Sequence, residues 1–167
     1  LDTSAQIGLR SSRRLHGIET LTFDDVWSFR KREDGIARGS WDVDVWPADS
    51  YRRPAVDRES DVATARRRRL AAGEYYDIPY GAIVAQGVDN LLMAGRCLSA
   101  EHQAEASLRI QQTCMATGEA AGAAAAISLS EDTTPRELGA SRVIERLAVM
   151  RDVEPAFDLL KDVPELS

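Results

Sequence analysis

Residues 112–129, "QTCMATGEAAGAAAAISL", form a long run of helix-compatible residues with very little side-chain bulk. A helix of this kind buries little apolar area of its own, so something large, flat or close must lie against it. Cys114, Gly118, Ala121, Gly122 and Ala125 fall at i, i+4, i+7, i+8 and i+11 and make one stripe of small residues. In lipid, Gly118-xxx-Gly122 would favour helix pairing. The chain has no apolar run of the roughly 18 to 20 residues that a membrane span needs, so close packing on a sheet is the simpler reading. Spacing alone leaves packing and ligand proximity both open.

The segment before this helix narrows the choice. Residues 90–94, "NLLMA", read as a short strand entered through the turn Gln86-Gly87-Val88-Asp89 and ending at Gly95. A strand that ends in glycine lets the backbone approach a ligand closely, because no Cβ intervenes. The N-terminus of a nearby helix adds unpaired N–H groups and a partial positive charge. Together they suit an anion or the electron-rich edge of a ring. Residues between Arg96 and the helix read as a polar loop.

Elsewhere the pattern predicts a mixture of strands and helices. Residues 6–18 read as one strand or two short ones of modest burial. Thr22 and the following aspartates predict a capped helix over residues 23–31. Residues 42–46 alternate as a strand with one wet face, and residues 47–61 read as a long exposed loop rich in Pro, Asp and Arg. Residues 75–85 read as extended, with Pro79 pushing Ile78 out of helical geometry. Thr134-Pro135-Arg136-Glu137 is a capping box with Pro at the first helical position, followed by a helix over 141–150 and a short one over 155–161.

Charge and cysteine content exclude several function classes. With 27 acidic against 21 basic residues, the net charge of -6 argues against a general nucleic-acid or anionic-membrane surface. The run Arg66-Arg67-Arg68-Arg69 is the local exception, and a solvated helix face or loop is its plainer reading. Cys97 and Cys114 lack CxxC spacing, so neither a zinc site nor a disulfide framework is expected; reduced, buried thiols and a cytoplasmic setting are. No cluster of metal ligands stands out. The chain begins Leu1-Asp2-Thr3 with no initiator Met, which leads us to expect either that its beginning was removed or that it is part of a longer protein.

Three stretches carry a resemblance: "IGLRSSRRLHGIETLTFDDV" from Ile7, "YDIPYGAIVAQGVDNLLMAGRCLSAEH" from Tyr76, and "ASLRIQQTCMATGEAAGAAAA" from Ala106. In this order they resemble the C-terminal pattern of FAD-dependent oxidoreductases of the glutathione-reductase-like FAD/NAD(P)-binding superfamily, in particular the bacterial group. The similarity covers most of residues 7–150. It implies that Ala94, Gly95 and Arg96 run along FAD, and that the backbone at Gln112, Thr113 and Cys114 lies near the isoalloxazine. The physics agrees, because reduced flavin carries negative charge near N1 and a helix N-terminus stabilises it. The small-residue stripe would let the helix approach the dinucleotide-binding sheet. Many relatives have Pro where Gln112 stands and Glu where Ser11 stands. Arg96 replaces the acidic residue of the broader superfamily, although Arg is usual in the narrower group; a guanidinium there would favour pyrophosphate over ribityl hydroxyls.

The same superfamily binds FAD through an N-terminal GxGxxG between a strand and a helix, and no glycines of this chain fall in that pattern. The chain therefore resembles the C-terminal portion of such a flavoprotein, α/β in class, with part of a mixed or antiparallel substrate-side sheet. Residues 1–75 are expected to be a remnant of the substrate domain, 76–130 the C-terminal piece of the FAD-binding domain, and 131–167 a helical tail. The implied activity is transfer of hydride or electrons between flavin and a small organic substrate, inactive without the missing N-terminal segment. Beyond FAD, that segment and the substrate, no nucleic-acid or membrane partner is expected, and self-association is left open.

His102 and Arg109, in or beside the expected loop, are the candidate catalytic residues. Imidazoles ordinarily titrate near neutral pH and suit proton transfer, the blander reading of His102 being a structural or solvent-facing side chain. Arg109 would contact cofactor or substrate, or else cap the loop through an ion pair. Arg13 and Arg14 read as strand-face charges, and Cys114 as a packing thiol and not a redox nucleophile. The alternative function is a non-enzymatic module that keeps a flavoprotein C-terminal shape and binds a partner chain.

Overall fold

Thr22 starts the first helix through its side chain. In the computed structural model, which describes residue 11 and residues 13–43 and 74–152, the Thr22 hydroxyl accepts from Asp25 N at 3.1 Å and the Asp25 carboxylate accepts from Thr22 N at 2.9 Å. This reciprocal cap begins α1 (Phe23–Trp27). The helix ends before the expected residue 31 because Phe29 turns to φ 55°, a left-handed conformation that cannot continue a right-handed helix. The readings made for residues 6–10, 44–61, 66–69 and 155–161 lie outside the described residues.

The sheet among the described residues is two antiparallel strands, β1 (Gly35–Gly39) and β2 (Tyr76–Pro79), with Ala37 opposite Ile78 and Gly39 opposite Tyr76. The structure is thus α/β with an antiparallel pair. The strand expected to start at Asp42 does not: Asp42 and Val43 have no strand conformation. Strand structure falls instead on "GIARG", where Ile36 and Ala37 are buried and the flanking glycines hide any alternation from a sequence reading. β2 stops at Pro79, which has no N–H to extend a ladder, and a 3-10 turn (Tyr80–Ala82) follows.

Residues 15–21 run as a strap bonded on both sides, not as the regular strand expected for this region. Leu15 N and Leu21 N donate to Cys97 O and Ser99 O at 2.7 and 3.0 Å, while Ile18 N and Glu19 N donate to Val84 O and Gly81 O at 3.0 and 3.2 Å. Because its partners alternate between two segments, only isolated bridges form, Gly17 with Ala85 and Leu21 with Ala100. The strap passes close to its neighbours: a Cβ on Gly17 would sit 2.7 Å from Gly81 O and 2.8 Å from Ser99 Cβ. The expected strand at 90–94 likewise reduces to one bridge, Leu92 with Val84, after the turn in which Gly87 takes φ 80°.

Among the described residues, four more helices follow: α2 (His102–Leu108), α3 (Gln111–Ser130), α4 (Pro135–Leu138) and α5 (Ala140–Asp152). α2 corrects the expected polar loop. "HQAEASL" holds no Gly, Pro or β-branched residue, and Ala104 and Leu108 reach the core from it at i, i+4 spacing. α4 opens with the expected capping box on Thr134 and Glu137 and stops at Gly139, φ 74°, so the helix expected over 141–150 is a separate one. One core joins these pieces, with Leu21, Tyr76, Ile78, Ile83, Leu98 and Val143 all fully buried.

α3 presents an unexpected face to that core. Its buried residues are Thr113, Thr117, Ala120, Ala123, Ala124 and Ser128, and it packs on β1 and α5. Gly118, Gly122 and Ala125 of the small-residue stripe are exposed, and a Cβ added at either glycine would meet nothing within 4 Å. Apolar residues are spread around this helix without a dominant side, so pattern alone does not select the buried face. Thr117 shows how a threonine can point inward: its hydroxyl donates to Thr113 O and Cys114 O at 3.1 and 3.0 Å, which satisfies the proton inside the helix.

Candidate functional site

The turn at Gly95 and the first turns of α3 meet. Ala94 is extended, and Gly95 then takes φ 71°, a conformation that L side chains rarely adopt, before a 3-10 turn over Gly95–Cys97. Gly95 N donates to Thr117 Oγ1 at 3.0 Å, so the buried threonine of α3 holds the turn in place. Gly95 also stands against Cys114, to which an added Cβ would come within 3.7 Å of Sγ. Ala94, Gly95, Arg96 and Cys114 are thus brought together, all half-buried.

The start of α3 is electropositive and open. Its N-cap, Ile110, offers no side-chain acceptor, the first turn carries no acidic residue, and Gln111 and Gln112 are exposed. Thr113 is buried as a whole residue, so the exposed part of this helix start is Gln111 and Gln112. Cys114 Sγ is 3.9 Å from Leu108 O. Burial pushes the Cys114 thiol above its ordinary value, and a hydrogen bond from the Arg96 backbone pulls the other way. A thiol kept protonated is a poor nucleophile. Both cysteines are free and half-exposed, which corrects the expectation of buried thiols.

His102 and Arg109 bracket α2: His102 is its first residue and Arg109 its C-cap. The charged group beside His102 is Glu105, with Nδ1 3.9 Å from Oε2. Glu105 was not singled out in the sequence, yet it is 1% exposed and its Oε2 accepts from Arg14 Nη1 at 2.9 Å and from the Ser11 hydroxyl. Arg14 is therefore the partner of a buried carboxylate, not a strand-face charge. The signal that would have found Glu105 is the helix propensity of residues 102–108, which puts it at i+3 from His102. Thr117 also escaped the sequence reading, since nothing local links it to Gly95.

A family model described as FAD dependent oxidoreductase matches residues 1–147. The chain belongs to this family. FAD is the cofactor on which the family depends, and the match spans the strap, both strands, the Gly95 turn and the whole of α3. No curated protein and no solved structure matches the chain. Among the described residues, no group of three or more His, Cys, Asp or Glu is placed to hold a metal ion, and no helix is long and apolar enough to cross a membrane.

The residues of this FAD-dependent oxidoreductase fit an electron-rich dinucleotide. The uncapped end of α3 and a glycine turn without Cβ lie close together, with no carboxylate in the first helical turn. When bound, FAD supplies the acceptance and return of a hydride or of single electrons. The chain itself holds the Gly95 turn rigid through Thr117, sets the positive end of α3 beside it, and keeps the neighbouring thiol neutral.

Proposed function

We propose that this chain is the C-terminal part of a flavoprotein with a glutathione-reductase-like fold, moving hydride or electrons between FAD and a small organic substrate. In this reading Ala94, Gly95 and Arg96 run along the cofactor, and the backbone of Gln112, Thr113 and Cys114 meets the flavin ring. His102 and Arg109 face the substrate. Residues 1–75 serve the substrate side, 76–130 complete the FAD-binding domain, and 131–167 form a helical tail. A GxGxxG-bearing segment, absent from these residues, cradles the pyrophosphate. The observation that carries the reading is the bond from the Gly95 turn to Thr117, on the second turn of a helix whose start is uncapped and free of carboxylates, inside the matched region.

The exposed side of α3 supports it as well. Gly118, Gly122 and Ala125 let a sheet approach closely, with Met115 and Leu129 exposed on the same helix. The same face favours the second reading, a non-enzymatic module whose partner covers α3 with no flavin involved. Absorption spectroscopy separates the two. Under the flavoprotein reading, the chain with the GxGxxG segment supplied takes on a flavin spectrum with FAD, and Arg96→Ala weakens FAD retention about tenfold, the worth of one charge-assisted hydrogen bond. No flavin binding under those conditions leaves the partner-binding module standing. Unchanged retention in Arg96→Ala removes that side chain from the site.

A further inference from the structure

The Glu105 carboxylate is half satisfied. Oε2 accepts from the Ser11 hydroxyl and from Arg14 Nη1 at 2.9 Å, while Oε1, fully buried, has no hydrogen-bond partner. A buried carboxylate oxygen without a donor is costly, so a donor is to be sought nearby. Arg14 is committed to Oε2 and to Ser11 Oγ, 3.4 Å from the same Nη1. Glu101, the N-cap of α2, is turned away and accepts from Phe23 N at 2.7 Å. Among the described residues, the titratable group beside this carboxylate is His102, whose side chain is 58% exposed, with Nδ1 3.9 Å from Oε2, the oxygen that Arg14 and Ser11 already bond. That is about 1 Å beyond hydrogen-bond reach.

We propose that His102 and Glu105 form a dyad in which Nδ1–H of the imidazole donates to the buried carboxylate, so that Glu105 is a positioning residue fixing which nitrogen of His102 meets the substrate. With Nδ1 bonded inward, Nε2 is left unprotonated on the solvent side as a proton acceptor. The catalytic part of this inference rests on the flavoprotein reading. There, oxidation of an alcohol or amine breaks one C–H and one O–H or N–H bond. The hydride, with both electrons, goes to oxidised flavin, and the proton goes to Nε2, leaving a carbonyl or imine. The substrate class is thus a small molecule bearing hydrogen on both carbon and the attached heteroatom. Arg14 holds Glu105 from the strap side and Ser11 bonds the same oxygen, so the carboxylate is fixed and the imidazole is the part that moves.

The chain has two histidines, His16 and His102, so nitrogen NMR on histidine-labelled protein reads the dyad directly once His16→Gln has identified one signal. At alkaline pH, where imidazole is neutral, the dyad predicts the Nδ1–H tautomer of His102 in excess by roughly tenfold, the ratio one charge-assisted hydrogen bond supports. Free imidazole side chains prefer the opposite tautomer, and Glu105→Ala should restore that preference. Should Glu105→Ala unfold, the wild-type spectrum alone decides. A His102 that keeps Nε2–H as the major form in the wild type overturns the proposal. This measurement needs no flavin, so its failure is distinct from a failure to bind FAD.

Discussion

Thr117→Val tests whether one buried hydroxyl holds the Gly95 turn. Valine keeps the volume of threonine and removes the acceptor that Gly95 N reaches at 3.0 Å. The carbonyls of Thr113 and Cys114 lose a second donor but keep their place in the helix ladder, so their loss is small. The cost falls on the orphaned Gly95 N–H. A fully buried unsatisfied amide costs about 1–3 kcal/mol. Gly95 is only half-buried, and water takes up part of that cost, so about 1–1.5 kcal/mol is expected. At a urea slope of roughly 2 kcal/mol per M, the midpoint of unfolding falls by about 0.5–0.75 M. The sharper readout is local: the Gly95 amide should exchange with solvent about tenfold faster in Thr117→Val. Thr117→Ser, which keeps the hydroxyl and loses a methyl, should cost about 0.8 kcal/mol globally and leave Gly95 protected. Equal exchange at Gly95 in the wild type and Thr117→Val would refute the reasoning.

Two further outcomes follow from the same geometry. A Cβ on Gly39 would overlap Cζ of Tyr76, a ring that is fully buried and tied through its hydroxyl to Ser107 at 2.9 Å. Since Ser107 gives its own proton to Trp41 O, Tyr76 is the donor in that bond and cannot swing away freely. Gly39→Ala should therefore cost about 3 kcal/mol and lower the melting temperature by about 10 °C, and a calorimetric shift under 2 °C, roughly the effect of 0.5 kcal/mol, would contradict it. Asp25 supplies the acid limb. Burial raises its carboxyl, but the hydrogen bonds from Thr22 and the Arg30 guanidinium outweigh burial and hold it below the ordinary carboxylate value. A folded value below the unfolded one means that this stability is fully present above about pH 4–5 and is lost as pH falls through the lower, folded value. Urea midpoints taken from pH 6 down to pH 2 should fall less steeply for Asp25→Asn, which starts less stable; parallel curves would exclude Asp25 from the acid transition.

The readings that held were those in which cause and effect lie within one turn of chain. Thr22 with Asp25 and Thr134 with Glu137 cap their helices through bonds three residues apart, and Gly87 makes its turn with a positive φ that only its own residue type needs to allow. The 20-residue α3 was visible within one residue at each end from helix propensity. β1 was missed because glycines flank it, and α2 because its polar side chains read as loop. The strap escaped because its hydrogen bonds alternate between two distant segments.

The site divides along the same line. Sequence by itself determined that a Gly95 turn leads toward a small-residue helix, and its motifs determined the FAD-dependent oxidoreductase family, because both are written in residues close together in the chain. Tertiary structure alone decided that Thr117 binds Gly95 across 22 positions and that Arg14 meets Glu105 across 91. It also decided which side of α3 is covered. A helix of alanine, glycine and threonine has no strongly apolar side, so its buried face is set by the neighbours that pack on it and by a hydroxyl that finds its partners inside the helix.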